Sequence, residues 1–241
     1  MFVRYCIVGG GAAAAAAIEG IRSRDQESKI LMLSRENHRP YRRPLLTKDL
    51  LIGTATLDRL PLHPDEWYAE HKVDVRLRHE VIEVDAENRH LWDERGEVIE
   101  FGDLLLATGC RPRRLHAEGA EISSVRYFRD LEDYLDLESR LDRVQHLTMV
   151  GGGFTSVEMA AALRSRGKEI TLVMADEYPL HRLLPRDLGA PLLDYLRDDV
   201  IRGVLLINVP ERIEWARGLV RGAHPMTSAE RAAMVGEKAG A

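Results

Sequence analysis

The chain opens on a short apolar run, Tyr5-Cys6-Ile7-Val8, followed at once by Gly9-Gly10-Gly11 and then by alanines that favour helix to about Ser23. A second apolar run, Ile30-Leu31-Met32-Leu33, comes after the charged break Arg24-Asp25-Gln26-Glu27. Strand, tight turn, helix and strand in that order predict a β-α-β unit with parallel strands, closing at Ser34-Arg35-Glu36. Residues 37–64 are rich in Pro, Arg and His, which predicts an irregular excursion with one helix near Lys48–Ile52. From Val73 the pattern becomes strand-like. Val81, Val84, Leu91, Val98 and Phe101 recur in short segments broken by Asp85-Ala86-Glu87-Asn88 and Asp93-Glu94-Arg95-Gly96, as in a meander of hairpins. Leu104-Leu105-Leu106-Ala107 predicts a fully buried strand.

The first plan then returns about 142 positions further on. Leu147-Thr148-Met149-Val150 leads into Gly151-Gly152-Gly153, a helix from about Thr155 to Ser165, and the run Ile170-Thr171-Leu172-Val173. The pattern therefore predicts an α/β protein that repeats one β-α-β plan, with a β-meander following the first repeat.

Composition narrows the function classes. Apolar residues at 45% and charged residues at 30% over 241 residues describe a globular chain of one or two domains, which excludes disorder and fibrous repeats. With 34 Lys+Arg against 39 Asp+Glu, mixed along the chain, there is no basic surface for nucleic acid. Cys6 and Cys110 are the two cysteines, and neither belongs to a Cys-x-x-Cys pair, so a disulfide framework, a zinc site and a local redox dithiol have no support in the sequence. The apolar stretch Ala12–Ile18 is too short to span a bilayer, which predicts no membrane span and a cytoplasmic location.

The glycine turns carry the chemistry. Gly9-x-Gly11-x-x-Ala14 lets backbone approach a pyrophosphate while the following helix aims its N-terminal amides at the charge. A tight packing turn would use the same small residues, but the flanking strands and Glu36, an acid placed to accept from a ribose diol, favour a nucleotide site. Arg35 beside Glu36 leaves a solvated loop carboxylate as the alternative. Gly151-x-Gly153-x-x-Ser156 repeats the device with Ser at the third small position. Asp176 and Glu177 follow its second strand, where a carboxylate selects NADH over a 2′-phosphate; no Arg or Lys occupies 174–178, and a plain polar loop is the alternative. His79-Glu80 has Glu83 four residues past His79 rather than a second His, so no metalloprotease motif and no metal ligand set is read here.

Val8-Gly9-Gly10-Gly11, the segment Pro40–Lys48 (Pro-Tyr-Arg-Arg-Pro-Leu-Leu-Thr-Lys), Leu105–Gly109, Arg111-Pro112-Arg113 and Val150–Phe154 occur in that order. Together they resemble the flavoproteins of the pyridine nucleotide-disulfide oxidoreductase superfamily, in its apoptosis-inducing-factor and ferredoxin-reductase-like branch, over about residues 2–197. The resemblance implies an α/β fold of two Rossmann-like dinucleotide-binding modules of the three-layer ββα type, with FAD on the first turn and NAD(H) on the second. It assigns Gly9, Gly11 and Ala14 to the pyrophosphate turn, Glu36 to the ribose, Arg43 and Lys48 to the flavin side, Val81 to the adenine, and Thr108 and Gly109 to the turn beside the cofactor. It gives Gly151, Gly153, Glu158 and Asp176 to the second site. Only five of the 34 basic residues are lysines, and the bland reading of Lys48 is a surface side chain on a helix. The disulfide reductases of the superfamily use a cysteine pair beside the flavin that this chain lacks.

The resemblance implies oxidoreductase activity: hydride from NADH to flavin, then electrons to a small electron-transfer protein, a quinone or another oxidant. It also departs from the family plan after about Arg197. No Thr-rich segment ending in Gly-Asp follows, and Gly203–Val209 with a helix over 210–220 resembles the end of the family's C-terminal domain. The expected organisation is therefore a first module over 1–117, a truncated second module over 118–197, and a C-terminal remnant with a frayed tail over 198–241, joined across a large internal deletion. Both modules would be incomplete, with an exposed apolar sheet edge that invites oligomerisation. The competing reading is a catalytically silent nucleotide-binding or subunit-interaction fragment.

Overall fold

The computed structural model describes residues 1–115, 122–196 and 203–206 of the chain. They divide into two compact units, one made of Met1–Arg43 with Thr56–Arg129, the other of Pro44–Ala55 with the chain from Asp130 onward.

In the first unit, β1 (Phe2–Val8), α1 (Ala12–Arg22) and β2 (Ile30–Ser34) form the predicted parallel unit, with Cys6 opposite Leu31 and Val8 opposite Leu33. β3 (Val73–Leu77) extends it on the β2 side and β6 (Val98–Leu106) on the β1 side, both in parallel. β5 (His90–Asp93) runs antiparallel against the start of β6, and β4 (Val81–Asp85) antiparallel against β5, giving the order β3-β2-β1-β6-β5-β4. The period of two in a strand sorts the core onto two faces. Cys6, Val8, Leu31 and Leu33 face the meander and pack with Leu91, Ile99 and Phe101. Ile7, Ile30 and Met32 point the other way, onto Ala14 and Ile18 of α1 and onto Tyr68 of α3 (Asp65–Glu70). This is the three-layer arrangement the resemblance implies. Arg22, almost fully buried at the end of α1, ties that helix to the α3–β3 connection by donating to the carbonyls of His71 (2.6 Å) and Lys72 (3.3 Å).

Two expectations need correction. β6 is one continuous nine-residue strand rather than a hairpin arm followed by a separate buried strand, because it pairs with β5 through its first residues and with β1 along the rest. Leu105 and Leu106, expected to be buried, are 40% and 59% exposed, since no further strand among the described residues flanks the far side of β6 there.

In the second unit, β7 (His146–Val150), α5 (Phe154–Ser165) and β8 (Glu169–Met174) repeat the parallel plan. β9 (Gly203–Leu206) pairs in parallel with Thr171–Met174 of β8. That strand was expected in a C-terminal remnant; its register places it instead as the third strand of the second sheet, ordered β7-β8-β9. The expected helix over 210–220 and the frayed tail lie outside the described residues. The segment 44–55, read as part of the first module, belongs to the second unit, where α2 (Asp49–Ile52) packs against α5.

α4 (Leu131–Leu141), which the sequence pattern did not single out, starts at a capping box: Asp130 accepts from the Asp133 amide (3.1 Å) and Asp133 accepts from the Asp130 amide (3.0 Å). Replacing Asp130 by Ala removes the acceptor of the Asp133 amide while the backbone amide at 130 keeps its bond to Asp133, and the expected loss is ~1 kcal/mol. A thermal melt should show the midpoint falling by about 2–4 °C; an unchanged melt would mean the box is not needed. α6 (Arg186–Tyr195) completes the helices described. No helix among the described residues is long and apolar enough to cross a membrane.

Candidate functional site

The first turn is shaped by what its glycines touch. A Cβ on Gly9 would lie 2.1 Å from the carbonyl oxygen of Ala107, and its φ of +128° is one that side-chain-bearing residues avoid. A Cβ on Gly10 would strike Ser34. These two glycines therefore serve the packing of the turn against β6 and β2. Gly11 differs: its φ is −105° and a Cβ there would meet nothing within 4 Å. Open space lies over Gly11 at the start of α1, where first-turn amides lack intrahelical acceptors, so a pyrophosphate can approach backbone there. Ala14, fully buried, lets α1 sit close on the sheet. Thr108 follows Ala107 against Gly9, and Gly109 takes φ +68° directly after it.

Glu36 stands past the end of β2 in the same unit. One of its carboxylate oxygens pairs with Arg43, and the other accepts from the Tyr41 hydroxyl at 2.8 Å. The Arg43 guanidinium lies 4.9 Å over the Tyr41 ring and donates to its hydroxyl (2.9 Å) and to the Arg129 carbonyl (3.3 Å). Tyr41 was not among the expected site residues, although it lies inside the Pro-Tyr-Arg-Arg-Pro segment. The Arg78 and His79 amides donate to the carbonyls of Glu36 (3.1 Å) and Ser34 (2.9 Å), which anchors the connection leading to Val81, the first residue of β4, on the Glu36 loop.

The second unit repeats the geometry. Gly151 has φ +130°, a Cβ on Gly152 would meet Met174 Sδ at 3.0 Å, and Gly153 faces open space at the start of α5. The Gly9 amide donates to Leu33 (2.8 Å) and the Gly151 amide to Val173 (2.7 Å), fixing equivalent registers. Counted from those carbonyls, Glu36 and Asp176 are each the third residue onward, so the two acids occupy matching places in the two repeats. Ser156 Oγ would stand 3.1 Å from a Cβ on Gly151, so the departure from a small third residue crowds the turn only slightly. Two cations that the sequence reading overlooked come from the following loop and helix. Arg182 Nε is 4.0 Å from Asp176, and Arg186 is 3.2 Å from Glu177.

Lys48 and Arg43, expected together on the flavin side, fall in different units. Arg43 is committed to Glu36, whereas Lys48 Nζ lies 3.2 Å from Glu158 Oε1 on α5. Thr47 Oγ1 donates to the other Glu158 oxygen at 2.5 Å, a contact the sequence reading missed. Lys48 is half exposed, so its ion pair is a positioning contact worth at most ~1 kcal/mol of stability. Cys6 is no candidate nucleophile: burial pushes its thiol up to about 12, which leaves it neutral.

Two parallel β-α-β units, each with a glycine turn open above a helix N-terminus and an acid at the same register, repeat the arrangement of a doubly wound α/β nucleotide-binding fold. Comparison with known proteins agrees. The chain belongs to the pyridine nucleotide-disulphide oxidoreductase family, whose model matches residues 3–220. It is 34% identical over 195 residues to the ferredoxin–NAD(+) reductase component of the biphenyl dioxygenase system of Paraburkholderia xenovorans (strain LB400), covering 79% of this chain and 46% of that protein. It is 32% identical over 169 residues to a rubredoxin–NAD(+) reductase of Pseudomonas putida, covering 70% of this chain and 44% of that one. Among solved structures, the covalent putidaredoxin reductase–putidaredoxin complex matches with a TM-score of 0.76 at 26% identity, over 83% of this chain and 49% of that one. The chain thus spans about half the length of the relatives it matches.

Proposed function

We propose that the chain acts as a FAD-dependent NAD(P)H oxidoreductase, binding FAD at Gly9, Gly11, Ala14, Glu36, Arg43, Val81, Thr108 and Gly109 and NAD(H) at Gly151, Gly153, Glu158 and Asp176. The observation that carries this reading is the pair of open spaces above Gly11 and Gly153, each facing a helix N-terminus. When bound, the flavin supplies a two-electron acceptor for nicotinamide hydride and passes the electrons on, so no protein acid or base is needed for that step. The chain's own residues bind and orient. The first-turn amides of α1 receive a pyrophosphate, Arg43 supplies a cation from beside Glu36, and Glu36 accepts from a ribose diol with the lone pairs its present partners leave over. Glu158, held by Thr47 and Lys48, fixes the Lys48 ammonium on the second unit as a positive charge.

The names of the relatives support a small electron-transfer protein as the acceptor, and a cytoplasmic setting suits such a partner. For the nicotinamide, Asp176 favours NADH, because its carboxylate accepts from a ribose diol and repels a 2′-phosphate; Arg182 and Arg186, beside Asp176 and Glu177, are the cations that work against that preference. The test is titration of the FAD-loaded chain with each nucleotide, read as binding and as flavin bleaching. NADPH should bind at least about tenfold more weakly than NADH, with the ratio narrowing in Asp176→Asn. Tighter binding of NADPH would refute the assignment.

A further inference from the structure

His79, in the connection between β3 and β4, comes together with Asp93 at the end of β5 and Glu97 just before β6, all in the first unit. One ligand atom from each lies within 4.8 Å of the others. Asp93 is fully buried. Its Oδ1 accepts from the Arg95 (3.0 Å) and Glu97 (2.8 Å) amides and so closes the β5–β6 turn. Its Oδ2 is buried with no hydrogen-bond partner, a costly state for a carboxylate oxygen that has nothing to coordinate. The atom facing it is His79 Nε2 at 3.9 Å, beyond hydrogen-bond reach. His79 Nδ1 lies 3.0 Å from the Leu77 carbonyl, an acceptor that calls for the proton on Nδ1 and leaves the Nε2 lone pair pointed at a carboxylate. Two lone pairs facing each other across a 3.9 Å gap leave room for a cation between them. Glu97 supplies a second carboxylate; its Oε2 takes a hydrogen bond from Arg76 (2.8 Å), whose Nε is also paired with Asp74, so the other Glu97 oxygen remains to coordinate.

We propose that His79 Nε2, Asp93 Oδ2 and a Glu97 carboxylate oxygen bind a divalent first-row transition ion of the Zn²⁺ kind. One imidazole and two carboxylates suit such an ion better than Mg²⁺ or Ca²⁺, which prefer all-oxygen shells. Bonds of about 2.0–2.1 Å at a tetrahedral angle put ligand atoms about 3.3 Å apart, so His79 Nε2 and Asp93 Oδ2, now 3.9 Å apart, close by about half an ångström, and Glu97, within 4.8 Å of both, swings in by up to about 1.5 Å to complete the set. His79 already has the outer hydrogen bond, Nδ1 to a backbone carbonyl, that orients metal-binding imidazoles. The role is structural: the ion pins the β5–β6 turn to the connection whose amides hold Ser34 and Glu36. No local motif marks the set, because its ligands come from the β3–β4 connection, the end of β5 and the residue before β6.

The experiment uses the full chain, treated with a chelator and then titrated with Co²⁺ and Zn²⁺, with Mg²⁺ as the hard-cation control. One Co²⁺ per chain should give visible ligand-field bands that Zn²⁺ displaces, and saturating Zn²⁺ should raise the melting temperature by about 5 °C. His79→Gln and Glu97→Gln, both at partly exposed positions, keep the test open should Asp93→Asn fail to fold. Each should weaken binding at least about tenfold. Absence of a saturable site overturns the proposal. Equal binding by wild type and variants would mean an adventitious ion only. Stability that changes in the variants but never with metal would identify a plain His79 and Asp93 ion pair and overturn it equally.

Discussion

Gly11→Val should reduce affinity for ADP and FAD by about 100-fold or more while the chain keeps its fold. The space over Gly11 is empty of protein, so the valine has room in the unliganded chain, and its φ of −105° is open to any residue. The cost to folding is confined to the helix N-cap, up to ~1 kcal/mol. The same side chain fills the volume in which a pyrophosphate would meet the α1 amides. Isothermal titration with ADP, run beside circular dichroism and a melt, separates the two effects. Unchanged ADP affinity in a folded Gly11→Val chain would reduce the first turn to a packing device. Gly153→Val should leave ADP binding at the first site untouched.

The second large effect falls on folding and comes from the neighbouring glycine. Gly9→Ala places a methyl 2.1 Å from the Ala107 carbonyl oxygen, a backbone atom, and forces a non-glycine residue to φ +128°. Positive-φ strain and overpacking together should cost ~4 kcal/mol or more. Denaturant unfolding should show the loss as a lower midpoint with β1 and β6 no longer protected from hydrogen exchange. Gly20→Ala on α1 is the control, since its Cβ meets nothing and helix propensity predicts a gain of ~0.5–1 kcal/mol. Equal stabilities for the two variants would contradict the packing described for the turn.

The contrast between Gly9 and Gly11 also shows how far the sequence could be read. Both appear as fingerprint glycines, but only coordinates distinguish the one that packs from the one that leaves room. The two β-α-β units were legible because β1, β2 and β8, largely buried parallel strands, read as near-continuous apolar runs, because β7 carries apolar residues although it is not buried, and because the turns after β1 and β7 are glycine-rich. β6 was not, because Glu100, Gly102 and Asp103 interrupt its apolar positions and its two sheet partners are contacted in succession. α3 was hidden behind Pro64 with Tyr68 as its one fully buried residue. The allegiance of 44–55 is a matter of tertiary contact and leaves no trace in local pattern. In the site, Glu36 and Asp176 could be placed by counting from strand ends. The engagement of Glu36 by Tyr41 and Arg43, and of Glu158 by Thr47 and Lys48, could not, since the latter contacts link residues 110 or more positions apart. Arg182 and Arg186 lie beyond residues 174–178, and only the path of the following loop and helix brings them back to Asp176 and Glu177.

The central claim is that both nucleotide sites are real and that the first takes FAD. It is tested most directly by adding FAD to the purified chain, removing the excess, and adding NADH without oxygen while recording the visible spectrum. The account predicts a yellow protein with one flavin per chain whose absorbance bleaches on NADH and returns with an oxidant. A chain that stays colourless after reconstitution, or that retains flavin which NADH leaves oxidised, would contradict it.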